Sequence, residues 1–197
     1  MPLAEIYPKM TPEEYLAWEE KQLEKHEYVA GDIFAMNPVG MVGVRKIHAI
    51  VTLNIASELK QQLKGKPCRP FMADMKLRVE AADAFFYPDI MVTCDERDRV
   101  ADLQLEHPKL IIEVLSESTS SYDLGAKFEM YRMIPEFEEY IIVDPDRKRV
   151  YAYRFAGNGD WLMHDFGIEE QIRFASLGIT MQRADVFEGC EEDKRNG

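Results

Sequence analysis

Leu110-Ile111-Ile112-Glu113-Val114-Leu115 is the stretch whose reading decides the fold. It lacks the polar alternation of a strand with one wet face, so it reads as a central strand covered on both sides, as in a helix-flanked α/β sheet. Glu113 is then a carboxylate in a poor place. Phe85-Phe86-Tyr87-Pro88-Asp89-Ile90-Met91-Val92 repeats the arrangement with Asp89. A buried ionised carboxylate costs several kcal/mol unless a cation or hydrogen-bond donors compensate it.

If the two strands are neighbours, about 4.8 Å apart, both carboxylates converge on one point. Two like charges at about 4 Å repel by roughly 4 kcal/mol at an effective dielectric of about 20, and a divalent cation between them turns that repulsion into binding. Oxygen ligands alone favour Mg²⁺ or Mn²⁺ over Zn²⁺. The structural alternative pairs Glu113 with an arginine such as Arg78 and uses Asp89 to cap a turn after Pro88.

Working outward, Thr11-Pro12-Glu13-Glu14 has a capping residue, a proline at the first helical position and a glutamate at the third, which predicts a helix over 12–23. Apolar and β-forming residues on both sides of Gly31-Asp32 predict a hairpin ending at Met36, with Glu27 leading into it. Apolar residues at mostly three- and four-residue spacing predict a second helix over 44–63. Extended segments follow at 75–79, 86–93, 109–115, 140–143, 150–155 and 161–166. A third helix fits 124–133, with Asp123 as its cap and Pro135 beyond its end. The pattern is a mixed sheet covered by helices. One domain spans 1–187, and 188–197 is a polar, frayed tail.

The chain has 197 residues, enough for one full-sized core, and its 24 Lys and Arg against 36 Asp and Glu leave a net charge of −12. The longest apolar runs fall far short of a bilayer crossing, and the first ten residues carry no secretion signal. The three cysteines, Cys68, Cys94 and Cys190, are odd in number and far apart, which argues against a disulfide framework and for reduced thiols in the cytoplasm.

Other residues around the strand carry potential chemistry. Ser116 and the hydroxyls after it precede a helix N-terminus that can hold an anion or simply end a polar loop. Lys127 and Tyr131, four apart, share a helix face. His48 lies one residue off the apolar stripe of the second helix. Lys21, Lys25, Arg45, Lys46, Lys60, Lys64, Lys66 and Arg69 concentrate about the first two helices. They form either a local positive surface or ordinary mixed-sign solvated faces.

The ordered set of Glu27 before the hairpin, His48, Pro88-Asp89-Ile90, Ile112-Glu113-Val114-Leu115-Ser116, Asp123, Lys127, Tyr131 and Glu139-Tyr140-Ile141-Ile142-Val143-Asp144-Pro145 resembles the Uma-two family over residues 15–187. That family belongs to the PD-(D/E)XK nuclease superfamily. The resemblance implies a restriction-endonuclease-like α/β fold, a mixed central sheet flanked by helices with additional C-terminal strands, and Mg²⁺-dependent DNA endonuclease activity, commonly as a homodimer. It makes Asp89 and Glu113 the metal-binding carboxylates and Glu27 the acidic residue of the N-terminal region. Ser116, His48 and Tyr131 become residues that contact substrate or support the site. The superfamily lysine two residues after the glutamate is replaced by Leu115, and Lys127 stands at the position to which this family relocates it. Leu115 and the net acidity favour the other reading, a nuclease-fold binding or assembly module without turnover.

Overall fold

The computed structural model describes residues 7–36, 45–72, 74–116 and 120–190. Its N-terminal helix α1 (Pro12–Glu19) opens with the expected capping box: the Thr11 hydroxyl accepts from the Glu14 N–H at 3.3 Å, and the Glu14 carboxylate accepts from the Thr11 N–H at 2.8 Å. It stops short of residue 23 because the Glu19 carboxylate turns back to accept the His26 N–H at 2.9 Å, starting the next strand. The strands β1 (His26–Val29) and β2 (Asp32–Ala35) form the expected hairpin. Ala30 and Gly31 turn it with positive φ of 48° and 93°, the tight-turn conformation that matches strand twist.

Helix α2 (Lys46–Gln62) buries Val51, Ile55 and Leu59. It is followed by β3 (Arg69–Met72), β4 (Lys76–Val79), β5 (Ala84–Phe86) and β6 (Ile90–Thr93), then α3 (Glu96–Arg99), β7 (Gln104–Leu105) and β8 (Pro108–Val114). A continuous helical segment comes next: α4 (Ser120–Tyr122), a π-helical turn over Asp123–Lys127, and α5 (Phe128–Tyr131). The chain ends in β9 (Glu139–Asp144), β10 (Arg149–Gly157), β11 (Asp160–Asp165), β12 (Ile172–Phe174), β13 (Ile179–Met181) and α6 (Arg183–Val186).

Two sheets dominate. One runs β2-β1-β5-β4-β7, the other β11-β10-β9-β8-β6-β3, and β12-β13 form a separate ribbon. The larger sheet is mixed: β8 and β9 are parallel and their neighbours antiparallel. A parallel pair needs a crossover, and the helical segment 120–131 supplies it. The predicted single strand over 86–93 is two strands in two different sheets. Pro88, with no N–H to give a ladder, marks the break, and Asp89 lies where the sheets part.

Residues of β8 alternate between two cores. Leu110, Ile112 and Val114 face α2 with Val51, Ile55 and Leu59. Ile111 faces the opposite side with Tyr131, Ile134, Phe137, Tyr140 and Phe86. Both faces are thus apolar, as the run at 110–115 predicted, and the alternation sends Glu113 to the side of the helical crossover.

One expectation is corrected. Cys68 and Cys94 form a disulfide, 26 residues apart in sequence with Cα atoms 3.9 Å apart. The antiparallel register of β3 and β6 pairs Arg69 with Thr93, so the next pair outward is Cys68 opposite Cys94. Only Cys190 is a free thiol. At 188–190, the first residues of the predicted tail, the chain is packed against α2 and the core. The Asn54 side-chain amide donates to the carbonyls of Val186 and Glu188, at 3.1 and 2.9 Å, and Cys190 is buried. Residues 191–197 lie outside the described residues. Among those described, no helix is long and apolar enough to cross a membrane.

Candidate active site

The β6–β8 register pairs Ile90 with Ile112, and its extension sets Asp89 opposite Glu113. Asp89 is clasped to the end of β8 through both its backbone and its side chain. The Asp89 N–H donates to Glu113 Oε2 at 3.1 Å, and the Val114 N–H donates to Asp89 Oδ2 at 2.8 Å. His48 Nε2, from the first turn of α2, lies 3.1 Å from the same Asp89 oxygen. Tyr131, fully buried, donates its hydroxyl to Glu113 Oε1 at 3.0 Å.

Lys127 closes the cluster. Its Nζ is 3.0 Å from Glu27 Oε1, 3.3 Å from Glu113 Oε1 and 3.3 Å from Asp123 Oδ1. All four residues are buried, between 3% and 5% exposed. Glu27 comes from the smaller sheet, Glu113 from the larger, and Lys127 and Asp123 from the crossover, so the site lies where the three parts of the fold meet. Tyr122 adjoins it, with Lys127 Nζ 5.5 Å from its ring centre.

Electrostatically, the cluster carries more acid than base. Burial, with Asp123 and Asp89 adding their charge against the pull of Lys127, pushes the Glu113 carboxyl from 4.5 up to about 8. Burial works against the Lys127 ammonium, but Glu113, Glu27, Tyr131 and Asp123 outweigh it and hold the group well above its ordinary value. His48 is raised as well: burial lowers it, and the bond and charge of Asp89 more than compensate. Four carboxylates therefore share one ammonium and one imidazole. Such a donor set, all oxygen at Asp89 and Glu113 and short of positive charge, fits a hard divalent cation.

A second cluster provides a contrast. Asp95, His107 and Glu136 are the trio of potential ligands among the described residues whose ligand atoms all lie within 4.8 Å of one another. Arg97 already fills it, its Nη2 2.6 Å from Asp95 Oδ2 and 2.5 Å from Glu136 Oε1. It shares no residue with the Asp89–Glu113 site.

A family model described as "Putative restriction endonuclease", Uma2, matches residues 12–184. The chain belongs to the Uma2 family. The uncharacterized protein slr1290 of Synechocystis sp. is 34% identical over 183 residues, spanning 93% of this chain and 94% of its own. From the same organism, the uncharacterized protein sll1609 is 32% identical over 173 residues, 86% of this chain and 95% of its own. A crystal structure from Anabaena variabilis, described as "a putative nuclease belonging to DUF820", has the same fold: the TM-score is 0.71 at 19% identity, over 90% of this chain and 97% of that one.

Within this Uma2 chain the expected residues fall into place unevenly. Glu27, Asp89, Glu113, Lys127, His48 and Tyr131 gather in one network, while Ser116 sits half-buried just beyond the end of β8. The hydroxyl run 117–119 lies outside the described residues. The alternative pairing of Glu113 with Arg78 is overturned: Arg78 Nη2 donates to Asp83 at 2.9 Å and its guanidinium stacks on Phe85. Asp123 is not a cap. It lies inside the helical segment, in the π-helical turn, and its carboxylate faces Lys127. Its membership of the site, and that of Tyr122, was missed. The four-residue spacing of Asp123, Lys127 and Tyr131 was the available signal.

Proposed function

We propose that this chain is a Mg²⁺-dependent (or Mn²⁺-dependent) DNA endonuclease that hydrolyses phosphodiester bonds. The observation that carries the reading is the pairing of Asp89 with Glu113 across the β6–β8 ladder, with the Lys127 ammonium 3.3 Å from Glu113. Family and fold supply the class, a restriction-endonuclease-like nuclease.

Asp89 and Glu113 would hold the metal. When bound, it supplies a Lewis acid for a phosphoryl oxygen and a more acidic water. His48 orients Asp89 through the shared oxygen, and Tyr131 fixes Glu113. Lys127 is held charged, so its role is to orient the attacking water and to stabilise the negative charge developing on phosphate, rather than to take a proton. Glu27 anchors Lys127 from the facing sheet. Ser116, at the end of β8, is placed to meet the phosphate backbone. Leu115 argues for an inactive module, but an ammonium beside Glu113 supplies what that position lacks.

DNA would be drawn in by local rather than net charge. Lys60, in the last turn of α2, and Lys64, Lys66 and Arg69 just beyond it are exposed, Lys60 roughly 18 Å along the helix axis from His48. A homodimer would set two such surfaces along one duplex, and a DNA substrate implies cytoplasmic action. Binding weakens steeply with salt in this picture.

The test is cleavage of supercoiled plasmid with Mg²⁺, alongside Mn²⁺ calorimetry. Asp89→Ala and Glu113→Ala are expected to abolish cleavage while the fold persists, and Asp89→Asn to lose metal binding. Undiminished cleavage by either alanine variant overturns the assignment.

A further inference from the structure

Of the carboxylates gathered around Lys127, Asp123 is the one that the proposed reaction leaves without a task. The geometry points to Asp123 as the positioning residue of Lys127, the group that sets the relocated ammonium beside Glu113; this rests on the nuclease reading.

Three observations carry it. Asp123 and Lys127 belong to the same helical segment, 3.3 Å apart and both at least 95% buried. The other two carboxylates on Lys127, Glu27 and Glu113, come from two different sheets. Any shift of the crossover against the sheets loosens those contacts, whereas the Asp123 contact travels with the lysine. Like the Glu27 contact, it does not depend on the Glu113 oxygens that a cation would engage.

The backbone is shaped for this pairing. In a regular α-helix, at 3.6 residues per turn, three residues spaced by four drift about 80° around the axis from first to last. The π-helical turn over Asp123–Lys127 is wider and takes back part of that drift, which keeps Asp123, Lys127 and Tyr131 on one face. Such turns inside α-helices frequently mark functional sites. Here the turn is tied down from outside: Tyr140, fully buried on β9, donates its hydroxyl to the Asp123 carbonyl at 2.9 Å. Its ring stacks on Phe128, the first residue after the turn, with centroids 5.0 Å apart. Position 123 is thus pinned to the larger sheet through its backbone, and its side chain is left to hold Lys127.

The experiment compares Asp123→Asn, Asp123→Glu and the exposed helix-surface control Glu129→Gln with wild type, by steady-state plasmid cleavage, Mn²⁺ calorimetry and a crystal structure of Asp123→Asn. Asp123→Asn is expected to lower kcat about 10- to 100-fold, the usual cost of removing a supporting partner. KM for DNA and Mn²⁺ affinity should stay near wild type, and Lys127 Nζ should be displaced in the crystal structure. Asp123→Glu, which restores the charge, is expected to recover part of kcat, and Glu129→Gln to match wild type. An unchanged kcat in Asp123→Asn overturns the inference, as does a parallel loss of Mn²⁺ affinity, which would make Asp123 a metal ligand instead. Wild-type protein that neither binds Mn²⁺ nor cleaves DNA fails the nuclease reading and takes this inference with it.

Discussion

Glu113 and Glu139 are buried carboxylates on neighbouring parallel strands, 3% and 0% exposed, and their surroundings differ in kind. Glu139 is fully provided for: Arg154 Nε donates to it at 2.8 Å, the Ala175 and Ser176 N–H groups at 3.1 and 2.9 Å, and the Ser176 hydroxyl at 2.8 Å. Glu113 receives the Asp89 N–H and the Tyr131 hydroxyl, and shares a single ammonium with Glu27 and Asp123. A carboxylate satisfied on every side ties the β9–β10 pair to the chain after β12. One left short of positive charge is stabilised further by any cation it can capture. Burial alone does not distinguish a structural carboxylate from a reactive one; the supply of donors does.

The largest test of that contrast is the pH dependence of metal-free stability. The Glu113 carboxyl stands at about 8 in the folded chain against 4.5 for the free group. Because the folded state holds the proton more tightly, this group's stabilising contribution is full below about pH 4.5 and fades as pH rises toward 8. The His48 imidazole, raised by Asp89, acts with the same sign. Unfolding free energy measured in chelator is expected to fall between pH 5 and pH 8, by on the order of a few kcal/mol, with Tm falling in step. Glu113→Gln should flatten that slope and Glu139→Gln should leave it. Equal slopes in wild type and Glu113→Gln would dissolve the distinction between the two sites.

Next in size is the cost of removing each carboxylate. Glu139→Ala strands Arg154 and two backbone N–H groups, and is expected to cost about 3 kcal/mol, a fall in Tm of about 6 to 12 °C for a chain this size. Glu113→Gln keeps the shape and mimics the protonated carboxyl, so at pH 5 its stability is expected to stay within about 1 kcal/mol of wild type. Urea denaturation of both variants checks this. A Glu113→Gln protein as unstable as Glu139→Ala would make Glu113 a structural group.

How much of this was legible depends on the range of the interaction concerned. The two-sided burial of 110–115 and the anomaly of Glu113 within it are local patterns, and the strand is where they placed it. Lys127 and Tyr131 on one face is likewise local, and both reach Glu113. The pairing of Asp89 with Glu113, like that of Cys68 with Cys94, depends on register between strands, which no spacing along the chain encodes. Asp123 has the chemistry of a helix cap, and only Tyr140, distant in sequence, shows why the helix runs through it. Pro88 announced the break in the strand over 86–93, but not that its halves join different sheets.

The smallest expected effect sharpens the contrast most finely, because it tests a single donor. Tyr131 gives Glu113 one hydrogen bond, at 3.0 Å, from a ring packed against Phe86, Phe137 and Tyr140. Tyr131→Phe keeps the ring and removes only the hydroxyl, so the expected loss is about 1 kcal/mol, the net worth of one buried bond. Were Glu113 as well supplied as Glu139, the remaining donors would absorb that loss with no effect on metal. Because it is not, Glu113 should become freer to reorient, and Mn²⁺ affinity measured by calorimetry is expected to fall several-fold while the fold stays intact. Unchanged affinity in Tyr131→Phe would mean that Asp89 and Lys127 alone fix the carboxylate, and that the tyrosine belongs to the core beneath the site rather than to the site.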